Sequence, residues 1–393
     1  MNVGSLALIG GAGALVGYTY AGYPLLLKAL GAVRPRPVRS EEPGEWPLIS
    51  ITVPAYNEEA QIRTMLDSLL ALDYPADRRQ ILVVSDASSD RTDEIVAEYA
   101  DRGVELLRTP GRMGKTAAEN LARPRLRGDI IVNTDASIRI QRDALKRLVA
   151  CFSDPEVGLA SGRDMSVGPA EDHPNAGESG YVGYEMWVRQ LETRVNGIIG
   201  ASGCFYAIRA ELHHSNVMPE GLSRDFAAAL VTREHGYRSV SVDDAVCFVP
   251  RTASLRREYQ RKVRTMARGL QTLHFKRHLL NPLRYGSFSW MLLSHKLCRW
   301  LVPWAGISAA AGVLLLARRE PWAQWMIGAM AAATMVAAAG WMAGETRRLP
   351  RFVAIPTFAI ASNVAALHAW GKAVRGEANA VWEPTRREVV KTA

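Results

Sequence analysis

The stretch "LISITVPAYNEEAQIRTMLDSLLAL", residues 48–72, changes its hydrophobic period partway along. Residues 48–56 are β-branched and apolar and read as a strand, whereas Ile62, Met65, Leu66, Leu69 and Leu70 recur at the spacing of one helical face. A strand that runs into an amphipathic helix is the repeating unit of α/β architecture. The unit recurs in "QILVVSD" (80–86), followed by a helical run with Ile95, Val96 and Tyr99. "GVELLRT" (103–109) and "GDIIVNTD" (128–135) supply two more strands. From about residue 45 to about residue 250 the pattern predicts a mostly parallel sheet covered by helices.

Ligands of such sheets gather at the carboxyl ends of the strands. Those ends carry Tyr56, Asn57 and Glu58, then Asp86, then Asp135. Part of this has a plain structural explanation: Asn57 is placed to cap a helix opening with Glu58 and Glu59, and Ser89 or Asp90 to cap the next. Capping does not explain Asp86 and Asp135, which leave their strands before any helix begins, so the three clusters predict one ligand. "VNTDASIRI" (132–140) sets Ser137 two residues beyond Asp135. "GRMGKTAAEN" (111–120) suggests a phosphate loop, but Thr109 stands where a Walker loop needs its first glycine. Lys115 remains a point charge suited to a phosphate, with an exposed, solvated lysine as the alternative.

The chain has 393 residues, a net charge of +9 and 48% apolar residues, enough for one large domain or two smaller ones and too apolar to be disordered throughout. Cys151, Cys204, Cys247 and Cys298 show no paired spacing, which argues against a disulfide framework or thiolate zinc site and for a reducing compartment. His213 and His214 are adjacent without a third histidine at ligand spacing and read as surface residues.

No charged side chain precedes Lys28, and about 20 apolar residues match the hydrocarbon layer, so residues 1–28 predict a transmembrane helix. The start lacks the basic residues and cleavage site of a signal peptide. "GAGALVG" within it departs from dinucleotide-loop spacing, and Gly13 and Gly17 are expected to let another helix pack close. Three more uncharged runs, 301–317, 321–344 and 352–371, predict spans near the C-terminus. Lys28, Arg34, Arg36 and Arg39 place the central region in the cytoplasm. Three further crossings would leave the tail outside, yet Lys372, Arg375, Arg386, Arg387 and Lys391 favour the inside, so one run is expected to be re-entrant or interfacial. The basic run 251–278 has Glu258 as its only acid and Val263, Met266 and Leu270 on one helical face. It reads as an amphipathic helix on the inner leaflet rather than a nucleic-acid site, because membrane spans follow it. The expected organisation is thus an N-terminal span (1–28), a cytoplasmic catalytic domain (45–250), an interfacial segment (251–298), C-terminal spans (299–371) and a polar tail (372–393).

"VPAYNEE", "VSDASSDRTDEI", "GKTAAEN", "NTDAS", "SGCFYAIR", "SRDF" and "REHGYRSV" stand in an order and spacing that resemble the membrane-bound family 2 glycosyltransferases, relatives of the cellulose, hyaluronan and chitooligosaccharide synthases. The likeness covers roughly residues 48–275. It implies a GT-A-type nucleotide-sugar-binding fold, a UDP-sugar donor, a divalent cation (Mg²⁺ or Mn²⁺) and transfer with inversion. By matching position, the resemblance implies that Pro54, Tyr56, Glu58, Asp86, Lys115, Asp135 and Ser137 line the donor site. Within that set, Glu58 and Asp86 would hold the uridine, Lys115 would lie near the diphosphate, and Asp135 would bind the ribose or the cation. Asp225 is implied as the general base, with a helix-capping role as its alternative. Gly203, Cys204, Arg261 and Arg264 are implied at the acceptor or diphosphate.

Two departures qualify the likeness. Ser137 stands where the family often has a second carboxylate, which implies weaker cation binding. "RKVRT" (261–265) keeps the arginine of the processive Q-x-x-R-W element but lacks its glutamine and tryptophan, which argues against long-chain synthesis. The expected protein is a multi-pass inner-membrane enzyme whose acceptor is a glycan or lipid-linked, in exopolysaccharide or cell-surface polysaccharide synthesis. Membrane lipids and polysaccharide export or assembly proteins would be its partners, and nucleic acid would not. The alternatives are a short-chain processive synthase and a catalytically inactive scaffold.

Overall fold

Strand β1 (Ile49–Ala55) is buried along its whole length, as a strand covered on both faces must be. It pairs in parallel with β2 (Arg79–Ser85), which pairs in parallel with β3 (Val104–Arg108). On its other side β1 pairs in parallel with β4 (Ile130–Thr134). With β5 (Arg139–Ile140), β6 (Val157–Val167), β7 (Phe205–Arg209) and β8 (Arg238–Pro250) these strands form one sheet in the order β3-β2-β1-β4-β7-β6-β8-β5. The β4–β7, β6–β7 and β5–β8 pairs are antiparallel, whereas β6–β8 is parallel. The computed structural model describes residues 3–167, 176–215, 217–250, 254–343 and 349–377. Arg386, Arg387 and Lys391, and the far end of the 321–344 run, lie outside the described residues.

The period-2 pattern of the strands sorts their side chains between two layers. Ile81 and Val83 join Ile49, Ile51 and Val53 in one core cluster, whereas Leu82 and Val84 join Ile131 in the other.

The helices, in chain order, are α1 (Val3–Val33), α2 (Ile62–Leu70), α3 (Thr92–Ala97), α4 (Lys115–Ala122), α5 (Ala144–Ala150) and α6 (Ala176–Val195). They continue with α7 (Ala210–Ser215), α8 (Arg224–Glu234), α9 (Leu255–Phe275), α10 (Ser287–Leu316), α11 (Pro321–Met342) and α12 (Arg351–Val374). Helix α2 buries Ile62, Met65, Leu66 and Leu69 against the first cluster, the face read from the sequence. It starts at Ile62, later than expected, and Asn57 does not cap it. Asn57 instead adopts a left-handed backbone (φ 53°), and its Oδ1 accepts the Ser89 N–H at 2.8 Å. The side chain thereby ties the turn after β1 to the turn after β2. The N-cap position of α3 is Arg91, so neither Ser89 nor Asp90 occupies it, although Asp90 accepts the Thr92 N–H at 3.0 Å from just outside the helix.

Helices α1, α10, α11 and α12 are long and apolar enough to cross a membrane. The 301–317 run proves to be the second half of a 30-residue helix that starts at Ser287; His295, Lys296 and Arg299 in its first half interrupt the apolar pattern. Gly13 and Gly17 are not where α1 meets a neighbour: the space around both is open. The close approach is at Gly312 of α10, where a Cβ would lie 2.8 Å from the Ser5 carbonyl and 2.9 Å from Ile9 Cγ1. The apolar face of α9 is covered by protein, since Val263 and Leu270 are buried and Met266 packs against a cluster shared by several helices. That cluster joins Tyr23 and Leu27 of α1, Leu191 of α6, Phe226 of α8 and Trp300 of α10. The sheet domain and the apolar helices therefore share one core.

At Gly128, just before β4, an added Cβ would fall on the backbone of Ile49 and Ser50. Gly128→Ala is expected to destabilise the protein by about 3 kcal/mol, because the obstruction is main chain that cannot rotate away. Gly111→Ala, where nothing lies within 4 Å, should stay within about 0.5 kcal/mol. Melting curves of both variants in detergent check this; equal melting temperatures would refute the β1–β4 contact.

Candidate active site

Three strand ends build one wall of the site. Asp86 follows β2 and is buried, its Oδ1 accepting the Met113 N–H at 2.7 Å and its Oδ2 the Gly114 N–H at 2.8 Å. Gly114 has φ +90°, a left-handed value that favours glycine. The carboxylate thus bends the loop that leads into α4. Lys115, the first residue of α4, extends its Nζ to 2.6 Å from Asp135 Oδ1 beyond β4. Although burial disfavours the ammonium, the Asp135 and Glu119 carboxylates hold its pKa above the ordinary lysine value. Lys115 therefore carries its charge throughout the physiological range.

Lys115, Glu119 and Asp135 face a cavity of about 260 Å³. Of the residues expected at the site, Glu58, Lys115, Asp135 and Ser137 line the sheet side. Gly203, Cys204 and Asp225 line a second wall, and Arg261 and Arg264 of α9 a third. Pro54, Tyr56 and Asp86 do not line it. Pro54 is enclosed within β1 and Asp86 is spent on the loop before Lys115, while Tyr56 lies beside the cavity with the Arg112 guanidinium 3.9 Å from its ring centre. Among the described residues no three His, Cys, Asp or Glu side chains are grouped to hold a metal ion. Asp135, with the Ser137 hydroxyl on the same cavity, is the donor set in which a hard cation would have to be completed by oxygens of a ligand.

Asp225 sits in the first turn of α8, whose N-cap position is Ser223. It is therefore not the cap. Its Oδ1 accepts a hydrogen bond from the Ser223 hydroxyl at 2.6 Å. A Cβ on Gly203 would lie 3.1 Å from its Oδ2, so glycine there keeps space beside the carboxylate.

Sequence reasoning missed several side chains of the cavity. Arg268 of α9 donates to the Glu220, Gly221 and Leu222 carbonyls at 3.1, 3.2 and 2.7 Å and to Thr116 Oγ1 at 3.1 Å. It lay hidden in a basic run read as lipid-facing. Glu119 and Arg224 form a buried pair at 3.1 Å, though both stood inside quoted motifs. Arg224 Nη2 also meets His213 Nε2 at 2.8 Å, so His213 is buried rather than superficial. Burial and the Arg224 charge hold its pKa well below the ordinary value, leaving a neutral ring. Asp164 of β6 accepts from the Ser202 hydroxyl at 2.6 Å, and no local motif marked it.

Residues 50–214 match the sequence profile of Glycosyl transferase family 2. The Beta-monoglucosyldiacylglycerol synthase of Trichormus variabilis is 33% identical over 178 residues, 44% of this chain and 38% of that protein. An uncharacterized protein of Mycobacterium tuberculosis is 30% identical over 227 residues, 54% of this chain and 67% of its own length. The mannosyltransferase of Pyrobaculum calidifontis, solved in complex with GDP-Man and Mn²⁺, superposes with a TM-score of 0.71 at 24% identity, covering 94% of this chain and 99% of that one. That likeness shows the fold. The chain spans less than half the length of the cyanobacterial synthase it matches.

Hydrogen bonds to an ionised acceptor contribute about 1.5–3 kcal/mol each. Asp86→Asn removes the charge and turns an NH₂ group toward one of two donors. Amide exchange at Met113 and Gly114 should accelerate by roughly tenfold or more, and rates equal to wild type would refute the loop-holding role.

Proposed function

This chain carries a glycosyl transferase family 2 domain of the GT-A fold, and on that premise we propose that it transfers a sugar from a UDP-sugar to a hydroxyl of a lipid or lipid-linked glycan acceptor, with inversion. The observation that carries the reading is the convergence of Lys115, Asp135 and Asp225, remote in sequence, on one cavity at the carboxyl edge of the parallel strands. In this reading the acceptor oxygen attacks the anomeric carbon and its proton passes to Asp225. The bond from the anomeric carbon to the diphosphate oxygen breaks, and its electron pair leaves with the diphosphate. Lys115, Arg261 and Arg264, which line the same cavity, would receive that growing charge.

A divalent cation would be held by Asp135, with Ser137 beside it, and would supply Lewis-acid stabilisation of the leaving diphosphate. One attacking group and one base suffice for inversion, so no carboxylate nucleophile is required. The four apolar helices support a multi-pass membrane protein, and Lys28, Arg34, Arg36 and Arg39 favour a cytoplasmic site at the inner membrane. A relative named for making monoglucosyldiacylglycerol supports a lipid acceptor. If the acceptor is a growing glycan instead, export or assembly proteins become the partners.

Release of nucleoside diphosphate from a panel holding UDP-glucose, UDP-N-acetylglucosamine and GDP-mannose tests the reading. Asp225→Asn should lower the rate by about 10²–10⁴-fold, the usual contribution of a positioned base. Equal rates for both proteins would leave an inactive scaffold, and activity with GDP-mannose alone would refute the UDP donor.

Because this reading gives the cation one protein carboxylate, Asp135, Mn²⁺ is expected to bind the empty protein weakly and to bind markedly tighter once UDP is present. Ser137→Asp should raise the affinity of the empty protein by roughly tenfold. Calorimetric titration distinguishes these states, and tight Mn²⁺ binding without nucleotide would contradict the assignment.

A further inference from the structure

A second cavity, of about 450 Å³, lies beside the first. Asp164, Arg261 and Thr265 line both, so the two spaces meet at the same stretch of α9. Its other walls come from α6 and from the membrane-spanning candidates α10 and α12.

The chemistry of this chamber is divided. Trp300 and Pro303 of α10 and Phe358, Ala359 and Ala366 of α12 give it an apolar side. On the polar side, among the described residues, Arg189, Lys296 and Arg299 stand with Glu185 and Asp164. Two of the basic groups are conspicuously incomplete. Arg189 is 7% exposed, and its Nε and Nη1 have no hydrogen-bond partner; Glu185 approaches its Nε only to 4.0 Å. Arg299 is 9% exposed; Nη1 pairs with Glu185 and the guanidinium lies 5.2 Å from the centre of the Tyr184 ring, but Nε and Nη2 complete no hydrogen bond. Lys296 also lines the chamber, its ammonium 5.4 Å from the centre of the Phe226 ring.

Glu185 does not satisfy these donors. It already accepts from His295 Nε2 at 2.8 Å and pairs with Arg299. Buried guanidinium N–H groups without acceptors are unfavourable, and among the described residues no acceptor reaches these groups of Arg189 and Arg299. A tetrahedral oxyanion matches both needs, since arginine forks bind phosphate oxygens in pairs. The apolar wall adjoining the cations suits an acyl chain rather than a free ion.

We propose that Arg189, Lys296 and Arg299 form a subsite for the phosphate of a membrane amphiphile whose hydrocarbon part lies against α10 and α12. This deepens the transferase reading and rests on it for one step, namely that the amphiphile is the acceptor. The phosphate is then an anchor rather than the nucleophile. An ionised phosphate oxygen needs no base, whereas a hydroxyl of the same headgroup, directed past Arg261 and Thr265, does need Asp225. The acceptor class that follows is a phospholipid with a hydroxylated headgroup.

The test uses the full chain in detergent with three probes at equal concentration: dioctanoyl phosphatidylglycerol, dioctanoylglycerol and inorganic phosphate. The phospholipid should raise the melting temperature of the wild type more than either other probe. Lys296→Gln should weaken phospholipid binding by at least about tenfold, and Lys296→Arg, which keeps the charge, should restore most of it. With an active donor, Lys296→Gln should raise KM for the phospholipid without moving KM for the nucleotide sugar. Equal stabilisation by the neutral lipid or by inorganic phosphate, or unaltered phospholipid binding in Lys296→Gln, would overturn the subsite. If Lys296→Gln does not fold, Arg189→Gln provides the same comparison. Failure of every nucleotide sugar to react would sink the transferase reading while leaving the binding result intact, so the two ideas fail separately.

Discussion

Arg268 reaches from the middle of α9 to four acceptors, the carbonyls of Glu220, Gly221 and Leu222 and the hydroxyl of Thr116. Its acceptors belong to the two opposing walls of the cavity. Thr116 follows Lys115 on α4, and residues 220–222 lead into Asp225. One turn farther along α9, Thr272 Oγ1 accepts the Ser223 N–H at 3.0 Å, and Ser223 in turn bonds Asp225. Charge-assisted hydrogen bonds contribute about 1.5–3 kcal/mol each, and the planar fork of arginine reaches several acceptors that a lysine could not. The distance between Asp135 and Asp225 is thus governed by a helix that packs onto α12. The geometry of the pocket depends on how the sheet domain is seated on the apolar helices.

The cavity is close to electrically balanced as it stands. Lys115 is paired with Asp135, Arg224 with Glu119, and Arg261 with Glu258 through two hydrogen bonds of 2.8 Å. Arg224 and Glu119 are both almost fully buried, and removing either would strand the other, so this pair fixes the start of α8. Lys115 and Asp135 are about one-fifth exposed, which leaves them able to change partners. On the transferase reading, an arriving diphosphate competes with Asp135 for Lys115 and releases the carboxylate toward a cation. Asp135, with the Ser137 hydroxyl beside it, would then hold a cation only together with the nucleotide's own oxygens.

The strands were legible because they follow from local periodicity; of the strand-end clusters, Glu58 and Asp135 do line one cavity, whereas Asp86 is turned to the loop before Lys115. The register of seven short motifs located Gly203, Cys204 and Asp225, none of which is distinctive alone. What failed were readings that depend on tertiary partners. Asn57 has the chemistry of a cap but is diverted to Ser89 because the β1 and β2 turns lie side by side. His213 looked superficial because nothing local announces that Arg224, eleven residues on, folds back over its ring. Gly13 and Gly17 fit a helix-packing pattern, yet the contact is made through Gly312, on a helix whose first half the charge pattern concealed. Arg268 was taken for one basic residue among many, since a helix of that composition is amphipathic whether lipid or protein covers it.

The same concealment explains the charges in α10. Ionisable side chains in a membrane-crossing segment are unfavourable unless they pair or face a polar cavity. His295 satisfies this condition through Glu192 and Glu185, at 2.5 and 2.8 Å, and Arg299 satisfies it in part through Glu185. Both carboxylates come from α6, so the helix that carries the charges and the helix that answers them form one polar seam beneath α9. Helix α9 is the partition between that seam and the cavity of Asp135 and Asp225, with Arg261 and Thr265 exposed to both sides. On the transferase reading, a partition shared in this way would give a water-soluble donor and a membrane-held acceptor separate approaches to one reaction centre, with the position of α9 setting whether the two could meet.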